Sequence, residues 1–292
     1  MNRIKMIAFD LDGTLLTTDK ELTAYTKEVL ERAIQQNIEV IPATGRPLKG
    51  VPEIFFQFPG IRYIVTSNGA RIVEKESRKT LFSSLLSYEC AKEILDIFRE
   101  YDTMRDIFFD GQGYMEKRMA DQISRFVKVP AAVSYMLASR IQVQDIDEMF
   151  LKEHRDVDKV QALFASEEER REAFERIRKL PGAEPTGALG NNIEVNAAGV
   201  HKGAALLRIA GELGIASEEI LAFGDGTNDI RMLQAAGTGI AVGNAVQEVK
   251  EAADGITRSN DEEGVAVYIE NNVLDRRQSA DSMCAQAEKR RS

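Results

Sequence analysis

Short, nearly unbroken apolar runs alternate along this chain with longer segments in which apolar residues recur at helical spacing. The first run, residues 4–9, stops abruptly at Asp10 and Asp12. A run this short that is apolar on both faces is typical of a buried parallel strand. Similar runs occupy 38–41, 62–66, 192–195, 220–223 and 239–242. The pattern predicts a sheet of parallel strands that carries helices on its faces.

The segments between these runs have the spacing of amphipathic helices. In 23–36 the apolar residues recur close to every third or fourth position, and Thr23 is a suitable N-cap. The same pattern predicts helices at 87–101, 202–213, 246–253 and 261–271. Alternation of strands and helices is typical of an α/β fold with a doubly wound, Rossmann-like parallel sheet, which we predict for the two ends of the chain.

The middle of the chain, 85–188, mixes strands and helices without that alternation. A hairpin is predicted around the turn 110–113, followed by a helix at 119–128, a strand at 157–164 and a helix that begins after Ser166. We therefore predict an inserted α+β domain. The predicted domains are a discontinuous core at 1–84 and 189–273, the insert at 85–188, and a polar tail at 274–292 that is expected to be disordered.

Composition narrows the possible functions. The chain has 292 residues, 43% of them hydrophobic, and a net charge of −9. An acidic protein is repelled by nucleic acids and by anionic membranes, so neither is an expected partner. Cys90 and Cys284 lie far apart, which is typical of free thiols in a reducing cytoplasm. His154 and His201 are too few for a zinc site of histidine type, and no leader or membrane-spanning segment is expected.

The strand ends carry the candidate chemistry. Asp10 and Asp12 would repel each other unless a cation lay between them, and a hard divalent ion such as Mg²⁺ would relieve the repulsion. Taken alone, the two residues also fit a solvated Asp-Gly turn, and a Ca²⁺ loop fits less well.

Later strands end in polar residues as well, and a lysine begins a later helix. Because the carboxyl ends of neighbouring parallel strands meet at one edge of the sheet, these groups should share one crevice. Lysine, hydroxyl groups and backbone N–H groups suit a phosphate there, and a carboxylate that attacks phosphorus forms an aspartyl-phosphate. The groups are Thr44, Lys202, Asp225, Asn228 and Asp229.

The segment Asp10–Thr14 resembles the first motif of the haloacid dehalogenase superfamily of phosphohydrolases. The stretches 44–46, 202–203 and 224–229 are similar to its second, third and fourth motifs, and the insert is similar to the type IIB cap of its Cof-type branch. The resemblance covers residues 3–272. Gly226 and His201 depart from the family pattern, which usually has a small polar residue and a serine at these positions.

The resemblance implies a role for each motif residue. Asp10 would be the nucleophile, and Asp12 would be the general acid and base. The Mg²⁺ ligands would be Asp10, Asp12, Asp225 and Asp229. Phosphate would be held by Leu11, Thr44, Gly45, Lys202 and Asn228. The candidates for substrate specificity are Arg46, Asn68, and the hairpin residues Asp110 and Tyr114, which are expected to face the leaving group.

We therefore expect a Mg²⁺-dependent phosphatase that acts on small phosphorylated metabolites, with sugar phosphates as the favoured substrates, as a cytoplasmic monomer or homodimer. Two other classes of function stay open. One is a phospho-acceptor signalling module, although such modules are usually shorter and have no need of Asp12 as a proton shuttle. The other is a non-enzymatic protein that binds a metal or a sugar phosphate on the same fold, although it would not need the full set of carboxylates.

Overall fold

The computed structural model describes residues 4–187 and 190–274. Within these residues fourteen strands form three sheets. The strands are β1 (Met6–Phe9), β2 (Glu39–Pro42), β3 (Tyr63–Thr66), β4 (Arg71–Glu74), β5 (Thr80–Ser83), β6 (Thr103–Phe109), β7 (Gln112–Glu116), β8 (Arg140–Val143), β9 (Lys159–Phe164), β10 (Ala183–Thr186), β11 (Asn192–Ala197), β12 (Ile220–Gly224), β13 (Thr238–Ala241) and β14 (Gly255–Ile256).

Eleven α-helices connect these strands in the described part of the chain. None of them combines the length and the apolar content that a bilayer-crossing helix requires. They are α1 (Ala24–Gln35), α2 (Glu53–Gln57), α3 (Tyr88–Arg99), α4 (Lys117–Ala120), α5 (Pro130–Ser139), α6 (Ile146–Glu153), α7 (Glu167–Ile177), α8 (Lys202–Leu213), α9 (Ile230–Ala235), α10 (Gln247–Ala252) and α11 (Gly264–Asn272).

The core is a five-stranded parallel sheet in the order β14-β13-β12-β1-β2. All four residues of β1 are fully buried, because it lies in the interior of the sheet and helices cover both faces. Helix α1 begins after Thr23, whose hydroxyl accepts the N–H of Thr26. The predicted α/β fold with a parallel core is confirmed, and the carboxyl ends of β1, β2 and β12 meet at one edge.

A six-stranded sheet, in the order β10-β11-β9-β6-β7-β8, forms the inserted part. Its pairs are antiparallel except for β7 with β8. On β9, Val160 and Ala162 pack in one apolar cluster with residues of α3 and α7. Because side chains alternate along a strand, Lys159 and Gln161 project to the opposite face, which lies toward the core. The predicted hairpin is confirmed as β6 and β7.

Some local predictions differ from the structure. The strand predicted at 192–195 as part of the core is β11, which pairs with β9 and β10 and therefore belongs to the inserted sheet. The helix predicted at 119–128 is the short α4 followed by a 3₁₀ turn, and the main helix, α5, begins at Pro130. Proline suits the first turn of a helix but disfavours helical geometry in the residue before it, so the chain restarts there.

The domain limits stay predictions. The predicted boundary at Leu189 lies outside the described residues, as does the tail from residue 275 onward. Leu274, which was predicted to begin that tail, packs in the apolar core with 5% of its surface exposed. The strand predicted at 62–66 as part of the parallel sheet is β3, which meets the end of β2 through a parallel bridge from Ala43 to Val65 but pairs antiparallel with β4 in a separate three-stranded sheet.

Candidate active site

Strand β1 places Asp10 at the carboxyl edge of the parallel sheet. Its backbone N–H donates to the carbonyl of Phe223 at 3.1 Å, which extends the pairing between β1 and β12 by one residue. Asp10 is 6% exposed. Gly13 then turns the chain with a φ of +84°, and a Cβ there would lie 2.6 Å from Oδ2 of Asp225. Glycine is therefore required for the loop after β1 to close against Asp225.

Lys202, the first residue of α8, is a fully buried cation shared by two carboxylates. Its Nζ donates to Oδ1 of Asp10 and to Oδ1 of Asp229, each at 2.6 Å. Burial opposes its charge, but the two carboxylates raise the pKa of Lys202 above the ordinary value. Burial also raises the pKa of Asp10 well above its usual value; Lys202 opposes this shift, and Asp229 and Asp225 add to it. The site therefore holds more negative charge than Lys202 balances.

Asp10, Asp225 and Asp229 each present an oxygen within 4.8 Å of the other two. The Asp225 carboxylate accepts from the hydroxyl of Thr14 at 2.5 Å, and Asp229 accepts the backbone N–H groups of Asp225 and Gly226 at 3.0 Å each. Burial, with a further contribution from Asp229, raises the pKa of Asp225 to about 7. These carboxyl groups resist ionisation unless a cation is close. Clustered carboxylate oxygens are also the hard ligands that Mg²⁺ prefers. The predicted metal therefore fits this group.

Asp12 lies beside this group, but cations hold its carboxylate. Arg46 donates to it from Nε at 2.5 Å and from Nη2 at 2.6 Å, and Nζ of Lys20 lies 2.9 Å from Oδ1. Burial acts to raise the pKa of Asp12, but hydrogen bonds and charge from Arg46 and then Lys20 lower it to about 2. The side chain of Asp12 is not one of the three clustered carboxylates, so its predicted part in metal binding would fall to its backbone carbonyl.

The predicted phosphate ligands surround the same crevice. Thr44, Gly45 and Asn228 line one cavity with Asp10. Thr44 follows β2, and its hydroxyl accepts the backbone N–H of Arg46 at 3.1 Å, which fixes the turn after the strand. The side chain of Leu11 is fully buried in the apolar core, so only its backbone can serve a ligand.

Asn68 joins the core to the insert. It has a left-handed backbone conformation with a φ of +57° and is 2% exposed. Its Oδ1 accepts from Asn228 at 3.1 Å, and its Nδ2 donates to Oε2 of Glu194 on β11 at 2.6 Å. Nearby, Nζ of Lys159 on β9 donates to the carbonyl of Gly45 at 2.9 Å. Asn68, which was predicted as a specificity residue, connects the two walls of the crevice.

These contacts enclose a cavity of about 250 Å³. We call the residues that line it from the core the floor and those that line it from the insert the roof. The floor is Asp10, Asp12, Gly13, Lys20, Thr44, Gly45, Arg46, Asp225, Gly226 and Asn228, with the buried pair Lys202 and Asp229 beside Asp10, and the roof is Ala132, Tyr135, Met136, Arg140, Lys159, Gln161 and Glu194. None of the roof residues was predicted as a site residue. The sequence did contain one signal for them: Lys159 and Gln161 are polar residues at alternate positions of an otherwise apolar strand.

The structure does not bring Asp110 and Tyr114 to the cavity. Asp110 sits at the exposed tip of the hairpin between β6 and β7, where Arg71 and Arg155 pair with its carboxylate. Tyr114 packs edge to face on Phe109, with ring centroids 5.9 Å apart. Neither residue lines the cavity, so the structure gives no support to their expected place facing the leaving group. Arg46 does line the cavity, where the ring of Tyr135 lies 4.2 Å from its guanidinium carbon.

The two departures from the family pattern have structural explanations. Gly226 donates its N–H to Asp229, and a Cβ at this position would lie 2.7 Å from Oδ1 of Asn228. His201 is the N-cap of α8, and its Nδ1 accepts the N–H of Ala204 at 3.1 Å. Burial lowers the pKa of His201, which favours the neutral ring that such a cap requires. His201 therefore holds the start of the helix that carries Lys202.

Comparisons with known proteins agree with this geometry. Residues 7–269 match the family model described as haloacid dehalogenase-like hydrolase. The 5-amino-6-(5-phospho-D-ribitylamino)uracil phosphatase YcsE of Bacillus subtilis (strain 168) is 30% identical over 271 residues, which is 93% of this chain and 96% of that protein.

Solved structures are similar over nearly the whole chain. A haloacid dehalogenase-like hydrolase from B. subtilis has a TM-score of 0.82 at 28% identity, covering 93% of this chain and 100% of that one. A subclass IIB sugar phosphatase of the same superfamily has a TM-score of 0.77 at 26% identity, covering 92% of this chain and 100% of that one.

Proposed function

The chain belongs to the haloacid dehalogenase-like hydrolases and is a phosphatase of that superfamily, and from this premise we propose a Mg²⁺-dependent hydrolysis of small phosphate monoesters through an aspartyl-phosphate on Asp10. The observation that carries the proposal is the buried Lys202 shared by Asp10 and Asp229, with Asp225 beside them. This arrangement leaves the carboxylate of Asp10 in the crevice between core and insert, surrounded by groups that balance charge.

In the first step an oxygen of Asp10 attacks phosphorus, and the bond from phosphorus to the leaving alcohol breaks. Asp12 gives its proton to the departing oxygen. Because Arg46 and Lys20 hold the pKa of Asp12 at about 2, part of this pairing must be released when substrate binds, so that Asp12 enters the reaction protonated.

In the second step a water molecule attacks the phosphorus of the aspartyl-phosphate, and the acyl phosphate bond breaks to regenerate Asp10 and free phosphate. Asp12, now ionised, takes a proton from that water. The pairing with Arg46 and Lys20 suits this step, because it stabilises the ionised form of Asp12. The same carboxyl group thus needs different partners in the two half-reactions.

The remaining floor residues position the phosphoryl group, which is most of what phosphoryl transfer requires of a protein. The hydroxyl of Thr44, the amide of Asn228, Nζ of Lys202 and the backbone N–H groups of Leu11 and Gly45 are its proposed donors. Asp10 and Asp225, with the Asp12 carbonyl and Asp229 alongside, would hold Mg²⁺, which would supply the positive charge that balances the phosphoryl group and the carboxylates.

We propose sugar phosphates as the favoured substrates. The cavity of about 250 Å³, roofed by residues of the insert, has room for a small metabolite. A relative that acts on 5-amino-6-(5-phospho-D-ribitylamino)uracil and a similar structure described as a sugar phosphatase support this class, since both names describe a phosphate on a small polyhydroxylated molecule.

A screen of phosphorylated metabolites with Mg²⁺ tests the function, and acid-quenched samples test for phosphate on Asp10. We expect multiple turnovers with a short-lived phosphoenzyme and loss of turnover on chelation. A phosphoenzyme that persists for minutes without turnover would instead indicate the signalling module. Metabolite binding with neither phosphoenzyme nor turnover would indicate a binding protein.

A further inference from the structure

The roof contains two cations, and each is paired with a buried carboxylate of the insert. Nε of Arg140 lies 3.3 Å from Oδ2 of Asp106, and Nζ of Lys159 lies 2.5 Å from Oε2 of Glu194. All four side chains are at most 9% exposed. Two cations and two carboxylates leave this wall without net charge.

Such buried pairs do not separate readily, because either partner left alone would be a charge with little solvation. A second phosphate or a carboxylate on the leaving group would therefore have to compete with Asp106 for Arg140, or with Glu194 for Lys159. It would also bring an uncompensated negative charge close to those carboxylates. The wall that contacts the leaving group is consequently unfavourable for anions.

Gln161 lies between the two pairs. On β9 it is opposite Asp106 of β6 on one side and opposite Glu194 of β11 on the other. It is 2% exposed and lines the cavity, and its side-chain amide makes no hydrogen bond to any described residue. The amide therefore has its N–H donors and its carbonyl acceptor available to a molecule in the cavity, and a ligand with hydroxyl or carbonyl groups could satisfy both.

We propose that Gln161 is a specificity-determining residue that binds hydroxyl or carbonyl groups of the leaving group, and that the neutral roof selects leaving groups without a second anionic group. The inference deepens the proposed function and rests on it. It names the substrate class as monophosphates of uncharged polyols, sugars or amide-bearing rings. It disfavours bisphosphates and phosphorylated sugar acids.

Two six-carbon substrates test the proposed preference for leaving groups without a second anionic group. Sorbitol 6-phosphate and 6-phosphogluconate differ only at C1, which is a hydroxymethyl group in the first and a carboxylate in the second. We expect kcat/KM to favour sorbitol 6-phosphate by at least about tenfold. Asp106→Asn removes the carboxylate that neutralises Arg140 and should shrink that ratio, and Glu194→Gln is the second variant if the first fails to fold. An equal or reversed preference in the unmodified protein overturns the inference.

Gln161→Leu tests the amide directly. We expect it to lower kcat/KM for sorbitol 6-phosphate at least about tenfold more than for p-nitrophenyl phosphate, whose leaving group has no hydroxyl in the place of the polyol. The matched control is Gln142→Leu, an exposed glutamine on β8 outside the cavity, which should change neither value.

Equal losses on the two esters with Gln161→Leu overturn the role of the amide. If the unmodified protein hydrolyses p-nitrophenyl phosphate but neither six-carbon ester, the proposed function survives and the inference falls. If no phosphate ester is hydrolysed in the presence of Mg²⁺, the proposed function falls, and the inference falls with it.

Discussion

The floor and the roof of the crevice both consist of buried charged residues, but they balance their charge differently. On the floor, Asp10 and Asp229 share Lys202, Asp225 lies beside them without a cation of its own among the described residues, and burial raises the pKa values of Asp10 and Asp225. On the roof, each cation has its own carboxylate, and the side-chain amide of Gln161 and the hydroxyl of Tyr135 make no hydrogen bond to a described residue.

This difference separates two tasks. The floor has excess negative charge until it binds a cation, and together with that cation it can bind a phosphoryl group. Its interactions therefore act on the atoms whose charge changes during the reaction. A wall that is already neutral gains little from a charged ligand, but it can distinguish neutral ones by hydrogen bonding and shape. The predictions below test whether the two walls can be altered independently, from the largest expected effect to the smallest.

Asp10→Asn should abolish turnover, with a loss of about 10⁴-fold or more, because the amide has nearly the same shape but is not a nucleophile. Steady-state hydrolysis of a substrate identified in the screen measures the loss, and circular dichroism verifies the fold. Turnover within tenfold of the unmodified protein in a folded variant would show that the floor does not act through Asp10.

Asp12→Asn should slow both half-reactions, by about 10²–10⁴-fold, as is typical when a general acid–base group is removed. Rapid-quench measurement of phosphoenzyme formation and breakdown separates the two steps. If only one step is slowed, Asp12 serves in that step alone, and the assignment of both roles to one carboxyl group is wrong.

Arg46→Lys keeps the positive charge but cannot make the bidentate pair with Asp12, and we expect a loss of about tenfold. Because Arg46 lowers the pKa of Asp12, the variant should have a higher pKa there. The second step needs Asp12 ionised, so the acidic limb of the pH–rate profile should move to higher pH. An unmoved acidic limb would contradict the control of Asp12 by Arg46.

The excess negative charge of the floor should also make the free energy of unfolding depend on pH. Asp225 has a pKa of about 7 in the folded protein against an ordinary 3.8, so the folded state holds its proton more tightly than the unfolded chain does. Metal-free protein should therefore lose stability as pH rises from about 4 to about 7.

Thermal unfolding of the metal-free and Mg²⁺-loaded protein at about pH 5.5 and pH 8 checks this expectation. The rise in Tm on adding Mg²⁺ should be larger at the higher pH, and Asp225→Asn should reduce the difference. A gain that is equal at both pH values would argue against an unbalanced floor.

Asp110→Asn should have the smallest effect on activity of the variants considered. The carboxylate is exposed at a hairpin tip outside the cavity, where its pairs with Arg71 and Arg155 contribute at most about 1 kcal/mol, discounted further by solvent screening. We expect an unchanged ranking of substrates, measured as kcat/KM ratios across the phosphate panel. A changed ranking would mean that specificity extends beyond the roof.

The floor could be predicted from the sequence because its parts are local. Asp10 and Asp12 end one apolar run, and Asp225, Asn228 and Asp229 follow another, so the single rule that parallel strand ends converge brings them together. What this rule could not give was the pairing of Asp12 with Arg46, since that depends on side-chain directions in two separate turns.

The roof could not be predicted in the same way. Arg140, Gln161 and Glu194 come from three strands of a mostly antiparallel sheet, and their order in that sheet is not the order of the chain. The hairpin turn offered conspicuous glycine and aspartate residues, but they do not line the cavity. The strand at β11 has the same apolar pattern as a core strand, so only its pairing partners show to which sheet it belongs.

Asn68 and Gly45 also bear on how such enzymes could be recombined. Asn68 donates to Glu194 and accepts from Asn228, and the carbonyl of Gly45 accepts from Lys159. A chimera that exchanges the insert alone would leave an amide N–H and a carbonyl without partners wherever the donor sequence lacks the matching side chains. New substrate ranges would then be inherited together with a linked set of five positions, Gly45, Asn68, Lys159, Glu194 and Asn228, and exchange of the insert alone would weaken the contact between the two walls.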